Sequence, residues 1–160
     1  MQRIQSKLIC GLLLLMGMVG FTSCLKSDLP ELPLWEGNGI DHIYVEYRFN
    51  TDQLFYGEPV VGYQRLVTSD VVVDSVHNTI RLKIAVPNAA GTFTAEDRDA
   101  VSQNHLWVYM DVPTGATVAP VAPTPAPGYA TDLTKPQTYE VTAANGDTRR
   151  WTVEVTEFTK

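Results

Sequence analysis

The sequence predicts an all-β chain: a sandwich of about seven antiparallel strands with one short helical insertion, behind an N-terminal signal and tether. Three observations predict it. Residues 137–156 form two alternating runs around Asn145-Gly146, the strongest hairpin signal a short stretch can carry. Residues 40–50, 79–87 and 105–112 alternate apolar and polar side chains with the period of two that marks half-buried strands. Turn residues separate these runs, and one segment alone, after Thr94, carries a helix start.

The chain opens with Arg3 and Lys7, then an apolar run over residues 8–21. A bilayer span takes about 20 residues, so this run suits a signal-peptide core instead. Thr22 and Ser23 lead into Cys24, an arrangement that resembles the lipobox of bacterial lipoproteins. The resemblance implies cleavage before Cys24, a diacylglycerol on its sulfur and an acylated new amine. Several acyl chains anchor stably where a single one is marginal. The competing reading is ordinary secretion, with Cys24 incidental. Residues 1–23 are therefore read as the signal peptide and 24–39 as an extended tether. Residues 40–160 are read as one domain. Trp35, in the tether, either packs on the bottom of the domain, the favoured reading, or lies at the membrane interface.

Residues 40–50 place Ile43, Val45, Tyr47 and Phe49 on one face and Tyr44, Glu46 and Arg48 on the other. Residues 51–59 read as a loop carrying Phe55, Tyr56 and Gly57. Short strands follow at 60–68 and 71–74, then a turn at 75–78. In residues 79–87, Ile80, Leu82, Ile84 and Val86 point inward, Arg81 and Lys83 outward, and Pro87 ends the strand by withholding an N–H. Thr94 before Ala95-Glu96-Asp97 reads as an N-cap with acids in the first turn, where the macrodipole favours them. One or two helical turns are expected over residues 95–102. Residues 105–112 turn Leu106, Val108, Met110 and Val112 inward and Trp107, Tyr109 and Asp111 outward. Residues 113–128 hold five prolines: 117–119 pair briefly, and 120–127 form an edge or polyproline-like connector.

The terminal hairpin fixes its own register. A two-residue turn at Asn145-Gly146 would set Glu140 opposite Trp151, and one residue of slip turns every side chain over. A three-residue loop, Ala144-Asn145-Gly146, puts Gly146 at the left-handed position, where glycine costs least. Tyr139 then faces Trp151, Glu140 faces Arg150 and Thr142 faces Thr148, each a favourable cross-strand pair. A lone hairpin cannot bury its own face, so other strands must cover Tyr139, Val141, Trp151, Val153 and Val155. Seven short strands with turn signals between them indicate a sandwich of immunoglobulin-like type.

Cys10 leaves with the signal and Cys24 is taken by lipid, so no disulfide is expected and the hydrophobic core carries stability alone. With 12 Lys and Arg against 18 Asp and Glu, the formal charge is −6. Losing Arg3 and Lys7 makes the mature chain more acidic still. Such a surface repels phosphate backbones, so no nucleic-acid partner is expected.

Several segments, taken in order, resemble a module of surface lipoproteins from Bacteroidetes-type bacteria, an immunoglobulin-like domain of unknown function. They are residues 115–120 (G-A-T-V-A-P), 132–136 (D-L-T-K-P), 139–143 and Gly146 to residues 151–155, preceded by 78–87 and 94–106. The resemblance covers residues 74–156 and, more weakly, everything from Ile40. It implies a sandwich at the outer membrane or cell surface, often in a setting of glycan capture or adhesion, and it brings no catalytic residues.

Candidate chemistry is sparse. His42, His77 and His105 lie on two strands and a turn in no metal-ligand spacing. Glu96, Asp97 and Asp99 lack the glycine and alternating acids of a calcium loop and serve a helix start equally well. No metal, cofactor or catalytic residue is expected. Aromatic side chains carry the sharper reading. Trp107 and Tyr109 project from one strand face roughly 7 Å apart, a spacing suited to stacking on successive sugars. Phe55, Tyr56 and Tyr129 sit on expected loops, where sandwich domains bind. The bland alternatives put Trp107 and Tyr109 beneath residues 88–104, or invert the two faces of their strand. The expected function is a non-enzymatic, lipid-anchored surface module that binds or scaffolds another surface component in adhesion or assembly: a protein partner, a glycan or an assembly subunit. The alternative is a glycan-binding lipoprotein using these aromatics.

Overall fold

The computed structural model describes residues 34–160. The expected signal peptide, Cys24 with its expected lipidation, and the expected tether up to Pro33 lie outside the described residues.

Among the described residues nine strands and one helix follow in order: β1 (His42–Phe55), β2 (Glu58–Arg65), β3 (Val67–Asp74), β4 (Thr79–Ala85), α1 (Ala95–Ala100), β5 (Leu106–Asp111), β6 (Thr117–Pro120), β7 (Ala130–Thr131), β8 (Gln137–Thr142) and β9 (Thr148–Thr159). They make a four-stranded sheet, β2-β1-β5-β7, and a five-stranded sheet, β3-β4-β9-β8-β6. The all-β sandwich with one short helix is the architecture the alternation predicts. Two strands exceed the expected seven: β6, read as a brief pairing, and the two-residue β7.

The inward faces of both sheets fill one core. The four-stranded sheet contributes Ile43, Val45 and Phe49 from β1 and Leu106 and Val108 from β5. The five-stranded sheet contributes Ile80, Leu82 and Ile84 from β4, Tyr139 and Val141 from β8, and Trp151 and Val153 from β9. In the terminal hairpin Tyr139 stands opposite Trp151, Glu140 opposite Arg150 and Thr142 opposite Thr148. Ala143 N–H reaches the Asp147 carbonyl at 2.8 Å, and Gly146 takes a φ of +93°. A single extra residue then corrects the parity of β9. Leu82 pairs with Val155 but Lys83 pairs with Glu157, so Thr156 is bulged out and Phe158, not Glu157, packs on the core.

The structure departs from the sequence reading in four places. The break between the second and third strands falls at Leu66, not at residues 69–70, so residues 67–74 form one strand. Every sheet pairing is antiparallel except one: β4 and β9 run parallel. A parallel pair needs a long crossover, and everything between the two strands supplies it. Residues 51–59, read as a loop, are instead the end of a long hairpin that turns on Tyr56-Gly57, both at positive φ (52° and 86°). That is the backbone of a type I′ turn, which matches the twist of its strands. Trp35, read as packing beneath the domain, is 66% exposed, while its backbone carbonyl accepts from Asn145 N–H at 3.2 Å.

The last residues of the tether form a short strap on the domain. Asn38 carbonyl accepts from the Trp151 indole at 2.8 Å. A Cβ at Gly37 would come within 2.7 Å of Pro113, so only glycine lets the strap lie that close. From the strap β1 runs 14 residues to Phe55, about 45 Å at strand rise. The β1–β2 tip therefore lies far from the end where the chain enters the domain.

The helix starts as expected. Thr94 Oγ1 accepts from Asp97 N–H at 3.1 Å, and the Asp97 carboxylate accepts from Thr94 N–H at 2.9 Å, a reciprocal capping box. Beside it, Phe93 and Val101 close one end of the core.

Candidate functional site

The outward face of the four-stranded sheet gathers the aromatic side chains. Antiparallel pairing of β1 with β5 sets Glu46 opposite Trp107, Tyr44 opposite Tyr109 and His42 opposite Asp111. Pairing with β2 adds Arg65 opposite Glu46 and Tyr63 opposite Arg48. Directly paired residues project to the same side of a sheet, so these side chains form one surface.

That surface is held by guanidinium groups lying on rings. The Arg48 guanidinium sits 5.3 Å from the Trp107 ring centroid and 6.0 Å from that of Tyr109. It also donates to the Tyr109 hydroxyl. Arg65 lies 4.5 Å over Tyr44 and donates to the Glu46 carboxylate at 3.0 Å. Each such contact contributes about 0.5–2 kcal/mol. The Tyr44 hydroxyl donates to Asp111 at 2.7 Å. That bond, joined by partial desolvation and the charge of Asp111, holds the Tyr44 phenol above its ordinary pKa. His105 stands edge-on to Trp107 at 5.0 Å. Glu46, Arg48, Val61, Gly62 and Tyr63 line an open hollow of about 380 Å³ on the β2 side.

Trp107 and Tyr109 thus share one face, each half-buried, and Arg48 rests on them rather than residues 88–104. Tyr129 borders the same face. Gly128 abuts the Tyr109 ring, its N–H reaches the Val108 carbonyl at 2.9 Å, and Ala130 pairs with Trp107. Phe55 and Tyr56 stand apart. They pack edge-on to each other at 4.6 Å on the β1–β2 tip, nine residues along β1 from the Trp107 level, or about 30 Å. The five aromatics do not make one site. Tyr44, Glu46, Arg48, Tyr63 and Arg65 were absent from the expected site. The alternation of residues 40–50 already put Tyr44, Glu46 and Arg48 on one outward face, but only the strand order shows what they meet.

The family model of the DUF5018-related proteins matches residues 40–154. The chain belongs to the DUF5018-related family. The fold is similar to the crystal structure of a Bacteroides fragilis NCTC 9343 protein designated as secreted. Identity is 32% and the TM-score 0.71, over 80% of this chain and 100% of that one. No curated protein matches the chain. The immunoglobulin-like module expected from the sequence is thus a domain of the DUF5018-related family, and its β-sandwich is shared with the Bacteroides fragilis protein.

Proposed function

We propose that this DUF5018-related protein is a non-enzymatic, lipid-anchored surface module that binds or scaffolds another surface protein through the outward face of its four-stranded sheet. One observation carries the reading: Trp107, Tyr109 and Tyr44 share that face, with Arg48 and Arg65 already laid on their rings. Trp, Tyr and Arg dominate the binding energy of protein interfaces. Side chains that hold one another in place lose little further freedom when a partner docks. Export is supported by the basic start, the apolar run and Cys24, and by the similar Bacteroides fragilis protein designated as secreted.

Glycan binding is the second reading, favoured by Trp107 and Tyr109 on one strand with Tyr129 at their border. A sugar stacking on Trp107 would have to displace the Arg48 guanidinium, so the protein contact is preferred.

The test is a photo-crosslinking residue in place of Tyr63, 65% exposed on this face, with Val76, 85% exposed on the β3–β4 turn, as control. On intact cells a discrete adduct is expected from position 63 alone, lost with Trp107→Ala and Tyr109→Ala together. A glycan array probed with soluble residues 25–160 decides the second reading. Sugar binding abolished by the same double variant, without an adduct, would replace the protein partner by a glycan. Cys24→Ser is expected to release the protein from membranes, and unchanged retention would end the anchor.

A further inference from the structure

Arg48 has donors to spare and, among the described residues, no acid to meet them. A guanidinium carries five N–H donors in a rigid fork, and the described side chains give Arg48 one acceptor, the Tyr109 hydroxyl. No described carboxylate lies within ion-pair reach of it. The two acids on the same face are already engaged, Glu46 with Arg65 at 3.0 Å and Asp111 with Tyr44 at 2.7 Å. Asp and Glu outnumber Lys and Arg 18 to 12 in this chain, yet among the described residues no acid pairs with the half-buried Arg48. Stacking on Trp107 and Tyr109 offsets part of its desolvation and also fixes its orientation. A fork pre-set in this way loses little freedom when it closes on a carboxylate.

Resting on the function proposed above, we infer that the partner segment docking on this face presents an acidic side chain to Arg48. Its apolar neighbours enter the hollow between Arg48, Val61 and Tyr63. A bidentate pair of this kind is among the strong polar contacts, about twice a neutral one. An isolated carboxylate between apolar residues fits better than a polyanion. The net charge of −6 repels an extended polyanion, and the ring faces an acidic sugar would stack on are covered, Trp107 by Arg48 and Tyr44 by Arg65.

Three probes test the inference by NMR on soluble residues 25–160: a blocked six-residue peptide with two central glutamates between leucines, its glutamine counterpart, and a galacturonate oligomer. The glutamate peptide is expected to shift the Arg48 Nε–H and Trp107 indole resonances. Its affinity should fall with added salt and weaken about tenfold or more in Arg48→Met. Arg48→Lys should recover part of the loss, and unchanged core resonances establish that each variant is folded. Equal binding of the glutamine peptide overturns the inference, as does unaltered binding by Arg48→Met. A response to galacturonate alone, or no shift at Arg48 with any probe, also overturns it. The two readings fail separately. If Arg48→Met still forms the position-63 adduct on cells, the acidic contact falls and the surface module stands. If no adduct forms on cells while the glutamate peptide still engages Arg48, the module falls and the anion contact stands.

Discussion

The Trp151 indole donates to the Asn38 carbonyl at 2.8 Å, joining the core of the terminal hairpin to a strap 113 residues earlier in the chain. Trp151 is 2% exposed and packs among the core residues, so its polar edge needs a partner. The strap supplies one, and the Asn145 N–H bond to Trp35 holds the strap over the hairpin loop. Trp151→Phe leaves the Asn38 carbonyl unpaired and is expected to cost about 1–3 kcal/mol. A chain beginning at Ile40 loses the same bond from the other side and should unfold at lower denaturant than one beginning at Leu34. Equal midpoints for the two chains would show that the strap adds nothing to the fold.

Two glycines should fail for different reasons. Gly146 has φ +93° and open space where a Cβ would stand, so Gly146→Ala pays backbone strain alone, about 1–2 kcal/mol. Gly62 has no left-handed backbone, but a Cβ there would lie 2.9 Å from Thr51 Cγ2 and 3.0 Å from Phe49 Cζ. Gly62→Ala is expected to cost about 1–3 kcal/mol through crowding. Thr51→Ser removes the clashing methyl and keeps the hydroxyl that donates to Val60, so adding it should recover part of the Gly62→Ala loss and none of the Gly146→Ala loss. Chemical denaturation of the four variants separates strain from crowding.

The hairpin register was legible because its information is local: a glycine after Asn145 and an aromatic on each arm leave one pairing that keeps like with like. The inward sets of β1, β4 and β5 and the Thr94 cap were legible for the same reason. What stayed hidden depends on neighbours distant in sequence. Nothing in residues 79–85 says that β9 runs beside them in the same direction, nor that Tyr44 meets Tyr109. Residues 51–59 hid as strand because the pairing shifts between Asn50 and Leu54, which breaks the alternation. Their turn also uses Tyr56-Gly57, a weaker signal than Asn-Gly. The site was half visible: Trp107 and Tyr109 showed as outward aromatics, but their arginine cover required the sheet order.

Tyr139 makes the core sensitive to alkali. It is 0% exposed, and its hydroxyl makes no hydrogen bond among the described residues. Burial, the larger effect, against the opposing nearby Thr131 hydroxyl, pushes its pKa up to about 12. The unfolded chain gives up this proton near the ordinary value of 10, before the folded one does. Tyr139 therefore contributes stability that is fully present below pH 10 and is lost as pH rises toward 12. The loss is at most about 1.4 kcal/mol per pH unit. Tyr139→Phe removes an unsatisfied polar atom while keeping the ring. It should leave neutral-pH stability unchanged or slightly higher and flatten the alkaline slope relative to wild type. Tyr44 and Tyr47, also raised, keep their own alkaline contribution in both proteins. An unchanged slope in Tyr139→Phe would assign the alkaline loss to those residues.

Tyr56 occupies a position its side chain disfavours. Its φ is 52°, it is the first central residue of the β1–β2 turn, and it is 95% exposed. A left-handed backbone costs an ordinary residue about 1–2 kcal/mol, and type I′ turns prefer Asn there. The edge-on contact with Phe55 at 4.6 Å is the only aromatic packing among the described residues to offset it, worth about 0.5–1.5 kcal/mol when formed. Tyr56→Asn is therefore expected to raise stability by up to about 1 kcal/mol, read as a higher denaturation midpoint with an unchanged slope. A Phe55→Ala background removes the ring contact, and the gain from Tyr56→Asn should be larger there. If the substitution instead lowers the midpoint in both backgrounds, the tyrosine stabilises the turn by something other than its ring contact, and backbone strain is not what this tip stores.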